Sequence, residues 1–377
     1  MKHNLFQMLF VFLILLMLTL SAPGSTPAHA AGGPPFMYIA NHDGHNIVRA
    51  TLGGALDATM TLGGHLATPS GIALDVASNK MYVTDEGNNT VVRADLDGSG
   101  DSAILINLSS PEGVALDLTH NKVYVVNGTG GTGGFGNVIR ANLDGSSPEN
   151  LGNLNGTLNF PVAIALDVAG DKMYVANYGV NAISRASLNG LNGTALTLGG
   201  YVNTACDIKL DLTNNKMYVV DGGVVTVGGV RTFMIRANLP DGSSVQGLDN
   251  DSVFAVTLGL DVPNGKMYVV DNTYNKAFKM NLDGSSRTEL GNLGGVLNSP
   301  YNMVLDLTVA PPAVTGVSST TANGSYTAGT TIPITVTFSA SVTVTGTPQL
   351  ALNSGGTASY ASGSGSTTLT FNYLVAA

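Results

Sequence analysis

The chain is poor in the residues that would assign it to several common classes of protein. Of its 377 residues one is a cysteine, Cys206, and none is a tryptophan, while 11% are charged. A single cysteine excludes an intramolecular disulfide, and sparse charge argues against a long solvated coiled coil or a charged disordered tail. The net charge is -9, from 16 Lys+Arg and 25 Asp+Glu. Because phosphate binding needs a basic surface, nucleic acid is excluded as a partner.

The one long apolar run lies at the N-terminus. Residues 5–20 carry no charge, follow Lys2, and lead into a Pro/Ser/Gly stretch that ends in Ala-His-Ala at 28–30. This order predicts a secretory signal over residues 1–30. An uncleaved anchor is the alternative, although the run is short for a span of ~20 residues. We therefore expect a secreted or cell-surface protein with no membrane span after signal cleavage.

A short segment recurs six times along the chain. MYIAN at 37 reappears as MYVTD at 81, VYVVN at 123, MYVAN at 173 and MYVVD at 217 and 267. Two further features repeat with it. They are a Leu-Asp pair, at Leu74-Asp75, Leu116-Asp117, Leu166-Asp167, Leu210-Asp211, Leu260-Asp261 and Leu305-Asp306, and a basic residue, at Arg49, Arg93, Arg140, Arg185, Arg236 and Lys279. The spacing of 42 to 50 residues between these copies is typical of a fold built from repeated structural units.

Each repeat contains four short apolar stretches, which we label strands A to D. In the unit at 71–108 they are GIALD, KMYVTD, TVVRADL and SAILINL, separated by turn residues. Four strands per repeat without a helical period predict an all-β, six-bladed β-propeller over residues 31–310. The array opens with a B strand at 36–41 and ends with an A strand at 302–307, so both ends are expected to complete one blade. An open solenoid is the alternative, and it would need no such split unit.

The repeat resembles a known family. The pattern P-x-G-I-A-L-D, K-M-Y-V-T-D, I-x-R-A-x-L-D-G-S is similar to the YWTD repeat of low-density lipoprotein receptor class B modules and to the bacterial YVTN surface-layer repeat. The resemblance covers residues 36–308 and implies the six-bladed fold. Val or Ile replaces the tryptophan of YWTD, and the disulfide-rich modules that flank those receptors are absent. Receptor ligands are therefore not carried over.

Composition shifts to Ser, Thr and Gly after Pro312. The segment 311–377 resembles the Ig-like repeats of large bacterial surface and adhesion proteins, but such a sandwich needs ~100 residues and about seven strands. We therefore expect a truncated, partial Ig-like β-sandwich from a longer exported protein. Its apolar faces would lack the partner strands that cover them. Those faces are Ile332, Ile334, Val336 and Phe338, and Leu369 with Phe371.

One rim of the propeller is predicted to bind. The B-to-C and D-to-A connections fall on the same rim and carry nearly all the length variation, including the stretches 127–137 and 221–233. Variable loops on a rigid scaffold are where binding residues concentrate. The candidate rim residues are Asn41, His42, Asp43, His45, Asp85, Glu86, Asn88, Asn177, Tyr178, Asp271, Asn272, Tyr274 and Tyr301.

A metal site is the second hypothesis. The repeats differ where the A strands begin, and Glu112, Asp207 and Asn302 are expected to converge near the axial opening. This placement resembles six-bladed lactonase-type hydrolases, which hold a divalent ion with carboxylate and amide side chains. A cation such as calcium would there activate water. His42, Asp43 and His45 are a second set of metal-ligand types, which we interpret as a solvated turn.

Groups that recur in every repeat are interpreted as structural. Catalysis needs one asymmetric constellation, whereas packing needs the same bond in every blade. The aspartates of the Leu-Asp pairs are therefore predicted to be turn acceptors, and the basic series is predicted either to pair neighbouring blades or to cover the surface. No catalytic residue and no resident cofactor beyond that cation are assigned. The favoured function is a non-catalytic extracellular binding or adhesion module for a protein or glycan; the alternative is a metal-dependent lactonase-like hydrolase or lyase.

Overall fold

The computed structural model describes residues 35–129, 135–248, 254–308, 312–353 and 355–376. The predicted signal over 1–30 and part of the 127–137 stretch lie outside these residues. The chain divides into two compact units, Pro34–Thr308 and a unit that includes Val309–Ala377. In the described part of the chain, no helix has the length and apolar character needed to cross a membrane.

The larger unit consists of six four-stranded antiparallel sheets, the blades, so the predicted six-bladed β-propeller is confirmed. Blade 1 contains β1 (Phe36–Asn41), β2 (Asn46–Thr51) and β3 (Leu56–Met60). Blade 2 contains β4 (Pro69–Asp75), β5 (Lys80–Asp85), β6 (Thr90–Asp95) and β7 (Ser102–Leu105). Blade 3 contains β8 (Pro111–Asp117), β9 (Lys122–Asn127), β10 (Asn137–Asn142) and β11 (Glu149–Gly152). Blade 4 contains β12 (Pro161–Asp167), β13 (Lys172–Asn177), β14 (Ile183–Ala186) and β15 (Thr194–Leu196). Blade 5 contains β16 (Ala205–Asp211), β17 (Lys216–Val227), β18 (Val230–Asn238) and β19 (Gln246–Gly247). Blade 6 contains β20 (Ala255–Asp261), β21 (Lys266–Asp271), β22 (Lys276–Asn281) and β23 (Thr288–Gly291). Two 3-10 turns, Leu62–Gly64 and Leu198–Gly200, lie in D-to-A connections.

Both ends of the propeller segment close the ring. The last strand, β24 (Pro300–Asp306), pairs antiparallel with β1 and supplies the innermost strand of blade 1. The innermost strands β4, β8, β12, β16, β20 and β24 contact one another in succession, and β24 contacts β4 in turn. The expected split blade is therefore confirmed, and the open solenoid is excluded.

The second strand of each blade lies in the core. In β5, β9, β13 and β21 every residue except the first is buried. Both faces of a blade pack against neighbouring blades, so this strand must be apolar on both sides, which the Met-Tyr-Val-Val pattern provides. Its tyrosines are each at most 2% exposed; they are Tyr38, Tyr82, Tyr124, Tyr174, Tyr218 and Tyr268.

A basic residue lies opposite each of these tyrosines on the third strand of its blade. Five of these residues are arginines that donate to a main-chain carbonyl of the following blade. The bonds run from Arg49 to Leu96 (2.8 Å), Arg93 to Leu143 (3.3 Å), Arg140 to Leu188 (3.1 Å), Arg185 to Pro240 (2.8 Å) and Arg236 to Leu282 (3.3 Å). The predicted contact between blades is thus confirmed for these five arginines.

The stretch 221–233 differs from its prediction as a loop. It forms the end of a long hairpin, in which Val225 pairs with Thr232 and Val227 pairs with Val230. The turn residues Gly228 and Gly229 both have positive φ, at +56° and +86°. A two-residue hairpin turn of this kind needs positive φ at both positions, so the Gly-Gly pair lets the strands continue.

The second unit is one five-stranded antiparallel sheet in the order β25-β26-β29-β28-β27. Its strands are β25 (Val314–Ser318), β26 (Thr331–Val342), β27 (Gln349–Ala351), β28 (Thr357–Ser362) and β29 (Ser366–Leu374). The Ig-like identity of this unit stays a prediction.

The apolar residues of this sheet are better covered than expected. Ile334, Val336, Leu369 and Phe371 are all buried, at 2–6% exposure, in a cluster with Leu350 and Ala358. The expectation that these four side chains lie uncovered is therefore wrong, because the strands of the one sheet bring enough side chains over them. Ile332 and Phe338 are only partly buried.

Replacing Arg93 by methionine should destabilise the propeller. The variant removes the charged donor to the Leu143 carbonyl and leaves that acceptor unpaired at the contact of blades 2 and 3. We expect a loss of about 1–3 kcal/mol in the free energy of unfolding, measured by urea denaturation. The control is Lys172→Met, since Lys172 donates only to the adjacent Asp171 carbonyl. Equal unfolding free energies for the two variants would contradict a stabilising role for the bond between blades.

Candidate binding face at the axial opening

Each innermost strand has a register irregularity at its first residues. A β-bulge turns a side chain out of the regular alternation of the strand. The second residues of these strands, which lie at the irregularity, are Ser70, Glu112, Val162, Cys206, Val256 and Tyr301. Val162, Cys206, Val256 and Tyr301 line one cavity of about 340 Å3. The bulges thus place non-repeating side chains around the axial opening.

The next residue along each strand contacts the neighbouring blade instead. Asp207 is fully buried, and its Oδ2 accepts from the Thr257 hydroxyl (2.7 Å) and the Leu258 amide (3.0 Å) of β20. Its Oδ1 accepts from the Ile208 amide and from Lys209 Nζ, both at 2.8 Å. Asp207 is therefore a link between blades 5 and 6.

The expected metal-ligand set is not assembled. Asp207 and Asn302 occupy the third position of their strands, whereas Glu112 occupies the second. Both carboxylate oxygens of Asp207 already accept hydrogen bonds from the protein. Across the residues that the structure describes, no three His, Cys, Asp or Glu side chains are grouped so as to hold a metal ion. The geometry gives no support to a shared site for Glu112, Asp207 and Asn302.

Four predicted rim residues anchor the backbone. They end the second strands, are fully buried, and accept from main-chain amides of the D-to-A connection. The bonds are Asn298 N to Asn41 (2.6 Å), Ala67 N to Asp85 (2.6 Å), Asn159 N to Asn177 (3.0 Å) and Phe254 N to Asp271 (3.0 Å). Because their oxygens are used in shaping the loops, these four residues are corrected from candidate ligand contacts to positioning residues.

The Leu-Asp aspartates accept bonds in the turns that follow. Oδ1 of each accepts from an amide two or three residues later, for example Ser78 to Asp75 at 3.0 Å and Gly170 to Asp167 at 2.9 Å. The same pattern holds at Asp117, Asp211, Asp261 and Asp306. Their role as turn acceptors agrees with the interpretation of their recurrence.

A polar sector occupies the blade 1 side of the rim and consists of His42, Asp43, Glu86 and Tyr301. His42 Nδ1 lies 2.8 Å from Asp43 Oδ1, its Nε2 lies 3.8 Å from Glu86 Oε2, and its ring centroid lies 5.7 Å from that of Tyr301. Bonds from Ser299 and His42 lower the pKa of Asp43. The predicted residues His45 and Asn88 are exposed nearby and interact with the carbonyls of Ala67 and His65.

Among the described residues of this face, Glu112 is the carboxyl with an oxygen that has no hydrogen-bond partner. It is 7% exposed, and its Oε2 has no hydrogen-bond partner. Burial and then the neighbouring Glu86 raise the pKa of Glu112 to about 8, while the Tyr301 side chain acts in the opposite direction. An unpaired buried carboxyl oxygen costs about 1–3 kcal/mol, so it needs a structural or functional reason.

Cys206 has the properties of a packing residue. Burial, followed by the nearby carboxylates Asp221 and Asp207, raises the pKa of its thiol to about 12. The thiolate is the nucleophilic form of cysteine, so a thiol that stays protonated is unreactive. Its Sγ lies 3.5 Å from the Thr204 carbonyl.

An aromatic sector lies on the side of blades 4 to 6 and consists of Phe160, Tyr178, Phe254 and Tyr274. These side chains are 44–61% exposed. Phe254 packs between Tyr274, at 6.0 Å between ring centroids, and the buried Phe233, at 4.8 Å. Tyr178, Phe233 and Phe254 line the 340 Å3 cavity, together with the predicted rim residue Asn272. Exposed aromatic side chains around a cavity are typical of an interaction surface.

Sequence reasoning found Tyr178 and Tyr274 but missed Phe160 and Phe254. The residue before each innermost strand is Thr68, Ser110, Phe160, Thr204, Phe254 or Ser299. Four of the six are small hydroxyl residues, so the two phenylalanines depart from the repeat, and this signal could have identified them. Phe160 has a φ of +49°, close to the +52° of Ser110 and the +48° of Ser299 at the same position, so this backbone conformation recurs and only the bulky side chain departs from the repeat.

Comparison with known proteins identifies the architecture but no family. No protein-family model and no curated protein match the chain. A chain in the crystal structure of the nidogen/laminin complex is similar at a TM-score of 0.60 and 18% identity, over 72% of this chain and 98% of that one. Kuenenia stuttgartiensis hydrazine synthase is similar at a TM-score of 0.50 and 12% identity, over 70% of this chain and 80% of that one. At such identities the likeness shows the fold alone.

Glu112 should make stability fall as the pH rises. A carboxyl whose pKa is about 8 in the folded protein and near 4.5 in the unfolded chain costs nothing below pH 4.5 and destabilises progressively up to pH 8. Glu112→Gln does not titrate. Between pH 5 and pH 9 the wild type should therefore lose on the order of 3 kcal/mol relative to the variant, measured by urea denaturation. A difference between the two proteins that stays constant with pH would contradict the altered pKa.

Proposed function

We propose that this protein is an extracellular, non-catalytic binding module that captures a protein partner on the aromatic sector of its variable rim. The observation that carries the proposal is the exposure of Phe160, Tyr178, Phe254 and Tyr274 on one side of the rim, where Tyr178 and Phe254 line a cavity. A role in adhesion follows if the module is displayed at a cell surface, as the N-terminal signal pattern predicts.

Energetics favour this sector as the centre of an interface. A few large aromatic side chains carry most of the binding energy of protein interfaces, and polar groups surround them and exclude water. The aromatic sector provides the large aromatic side chains. The polar sector, with Asn272, Asn88 and His45, provides the polar groups that surround them. Exposed Phe and Tyr rings cost free energy in water, and a partner that covered them would recover it.

The aromatic side chains are held in place before binding. Asp271 accepts from the amides of both Phe254 (3.0 Å) and Tyr274 (2.9 Å), and Tyr178 N donates to the Phe160 carbonyl (2.9 Å). A surface whose backbone is fixed loses little conformational entropy on binding. The buried aspartate therefore contributes to binding by positioning the rings.

The structural neighbour adds support of a general kind. The similar chain belongs to a nidogen/laminin complex, so a propeller of this fold takes part in a complex between proteins. We extend only that general mode to this chain. A glycan is the other class of ligand expected from the sequence, since rings can also stack on sugars.

The proposal is tested with the triple variant Tyr178→Ala, Phe254→Ala and Tyr274→Ala. Wild-type and variant full-length chains are immobilised and exposed to the cell envelope and secreted fractions of the source organism, and bound mass is measured by surface plasmon resonance. We expect a loss of about tenfold or more in affinity, because each truncated interface aromatic typically costs 1 kcal/mol or more. Protease treatment of the fractions should abolish binding, whereas periodate treatment should not.

A matched control comes from the opposite rim. Leu118 and Leu212 are both 46% exposed and lie beyond the other ends of the innermost strands. The double variant Leu118→Ala and Leu212→Ala should bind as the wild type does. Equal binding by the aromatic triple variant would overturn the assignment of the face, and binding abolished by periodate but not by protease would replace the protein partner with a glycan.

A further inference from the structure

We propose that Glu112 forms a subsite for a positively charged group, the ammonium of a lysine or the guanidinium of an arginine side chain of the partner. The inference deepens the proposed function and rests on it for the identity of the partner. The subsite itself is a property of this chain and can be tested without that partner.

Glu112 is not itself a lining residue of the cavity, but its carboxyl lies next to Tyr301, which is one. Glu112 is the second residue of β8, the register position at which Val162, Cys206, Val256 and Tyr301 line the cavity on four other innermost strands. Tyr301 crosses from β24 toward β8, because its side chain interacts with the Glu112 carboxyl. Glu112 Oε2 is buried and without a hydrogen-bond partner, so an acceptor is left open beside the cavity.

The surroundings of this oxygen are acidic. Among the described residues, the ion pairs at this face join His42 to Asp43 and to Glu86, and none of them reaches Glu112. Glu86 acts on Glu112 as a like charge. Glu86 is paired with His42, whereas Glu112 has no basic partner. Above its pKa of about 8 Glu112 is ionised and attracts a cation, and the net charge of -9 acts in the same direction.

The cavity suits the stem and the head of a basic side chain. The aromatic side chains of Tyr178, Phe233, Phe254 and Tyr301 line it. Aromatic faces attract cations, and the methylene stem of lysine or arginine packs on apolar surface while its head stays polar. A volume of about 340 Å3 lies at the low end of ligand pockets, which fits one side chain.

An organic cation explains these features better than a metal ion does. A divalent metal takes several oxygen or nitrogen ligands, and no three suitable side chains are grouped in the described part of the chain. An ammonium or guanidinium group needs only one carboxylate and ring faces, which are the groups present here.

Two peptide probes test whether binding depends on the positive charge. Acetyl-Gly-Lys-Gly-amide carries the cation, and acetyl-Gly-norleucine-Gly-amide has a matching stem without the charge. Dissociation constants for the full-length wild type are measured by isothermal titration calorimetry at low salt and about pH 9, where Glu112 is ionised and the lysine ammonium is still protonated. We expect the lysine peptide to bind about tenfold or more tightly than the norleucine peptide, as a charge-assisted bond to a buried carboxylate implies.

Three variants make the test specific. Glu112→Gln keeps the shape and should remove the preference for lysine, Glu86→Gln should reduce it by a smaller factor, and Glu149→Gln, on outer strand β11, should leave it unchanged. Equal urea denaturation midpoints at pH 5 show that the variants are folded.

Each outcome decides the inference. A lysine preference retained in Glu112→Gln, equal affinity of the two peptides for the wild type, or no binding of either peptide would overturn it. Calcium binding that depends on Glu112, without lysine binding, would replace it with a metal site. Because the peptides need no natural partner, a failure here is distinguishable from a failure of the partner-binding experiment.

Discussion

The propeller depends on one repeated bond, from an arginine of a third strand to a main-chain carbonyl of the next blade. Arg49, Arg93, Arg140, Arg185 and Arg236 all make it, each opposite a buried tyrosine. Packing of apolar faces holds two blades together but does not fix their register, since apolar contact is not directional. The directed bond specifies how each of blades 1 to 5 sits on the blade that follows it, and this in turn sets the axial opening at which the non-repeating residues meet.

Structural and functional residues separate by whether they obey the repeat. Polar groups that recur, such as the Leu-Asp aspartates and the buried residues that end the second strands, have their oxygens engaged in turns and loops. The departures from the repeat collect at the first residues of the innermost strands. Just before those strands Phe160 and Phe254 replace small residues and form part of the aromatic sector, and at the second residue of β8 Glu112 has an oxygen without a hydrogen-bond partner.

The two buried carboxyl groups of the axial region show how local geometry decides the role of a side chain. Asp207 and Glu112 differ by a single position in their strands. Asp207 faces the next blade, where amides, a hydroxyl and Lys209 satisfy it. Glu112 is buried near Glu86 and Tyr301, and burial followed by the charge of Glu86 raises its pKa. The carboxyl group of Asp207 thus links two blades, whereas that of Glu112 keeps an oxygen without a hydrogen-bond partner.

The sequence by itself determined the number of blades, the four strands of each and the closure of blade 1 by both ends, because these follow from period, alternation and turn residues. It also separated the repeated aspartates and arginines from any special site. Only the tertiary structure decided that Asn41, Asp85, Asn177 and Asp271 are buried loop anchors, that Asp207 bonds to β20, and that Phe254 and Tyr178 line one cavity. These facts depend on β-bulges and on contacts between residues far apart in the chain, which local patterns do not encode.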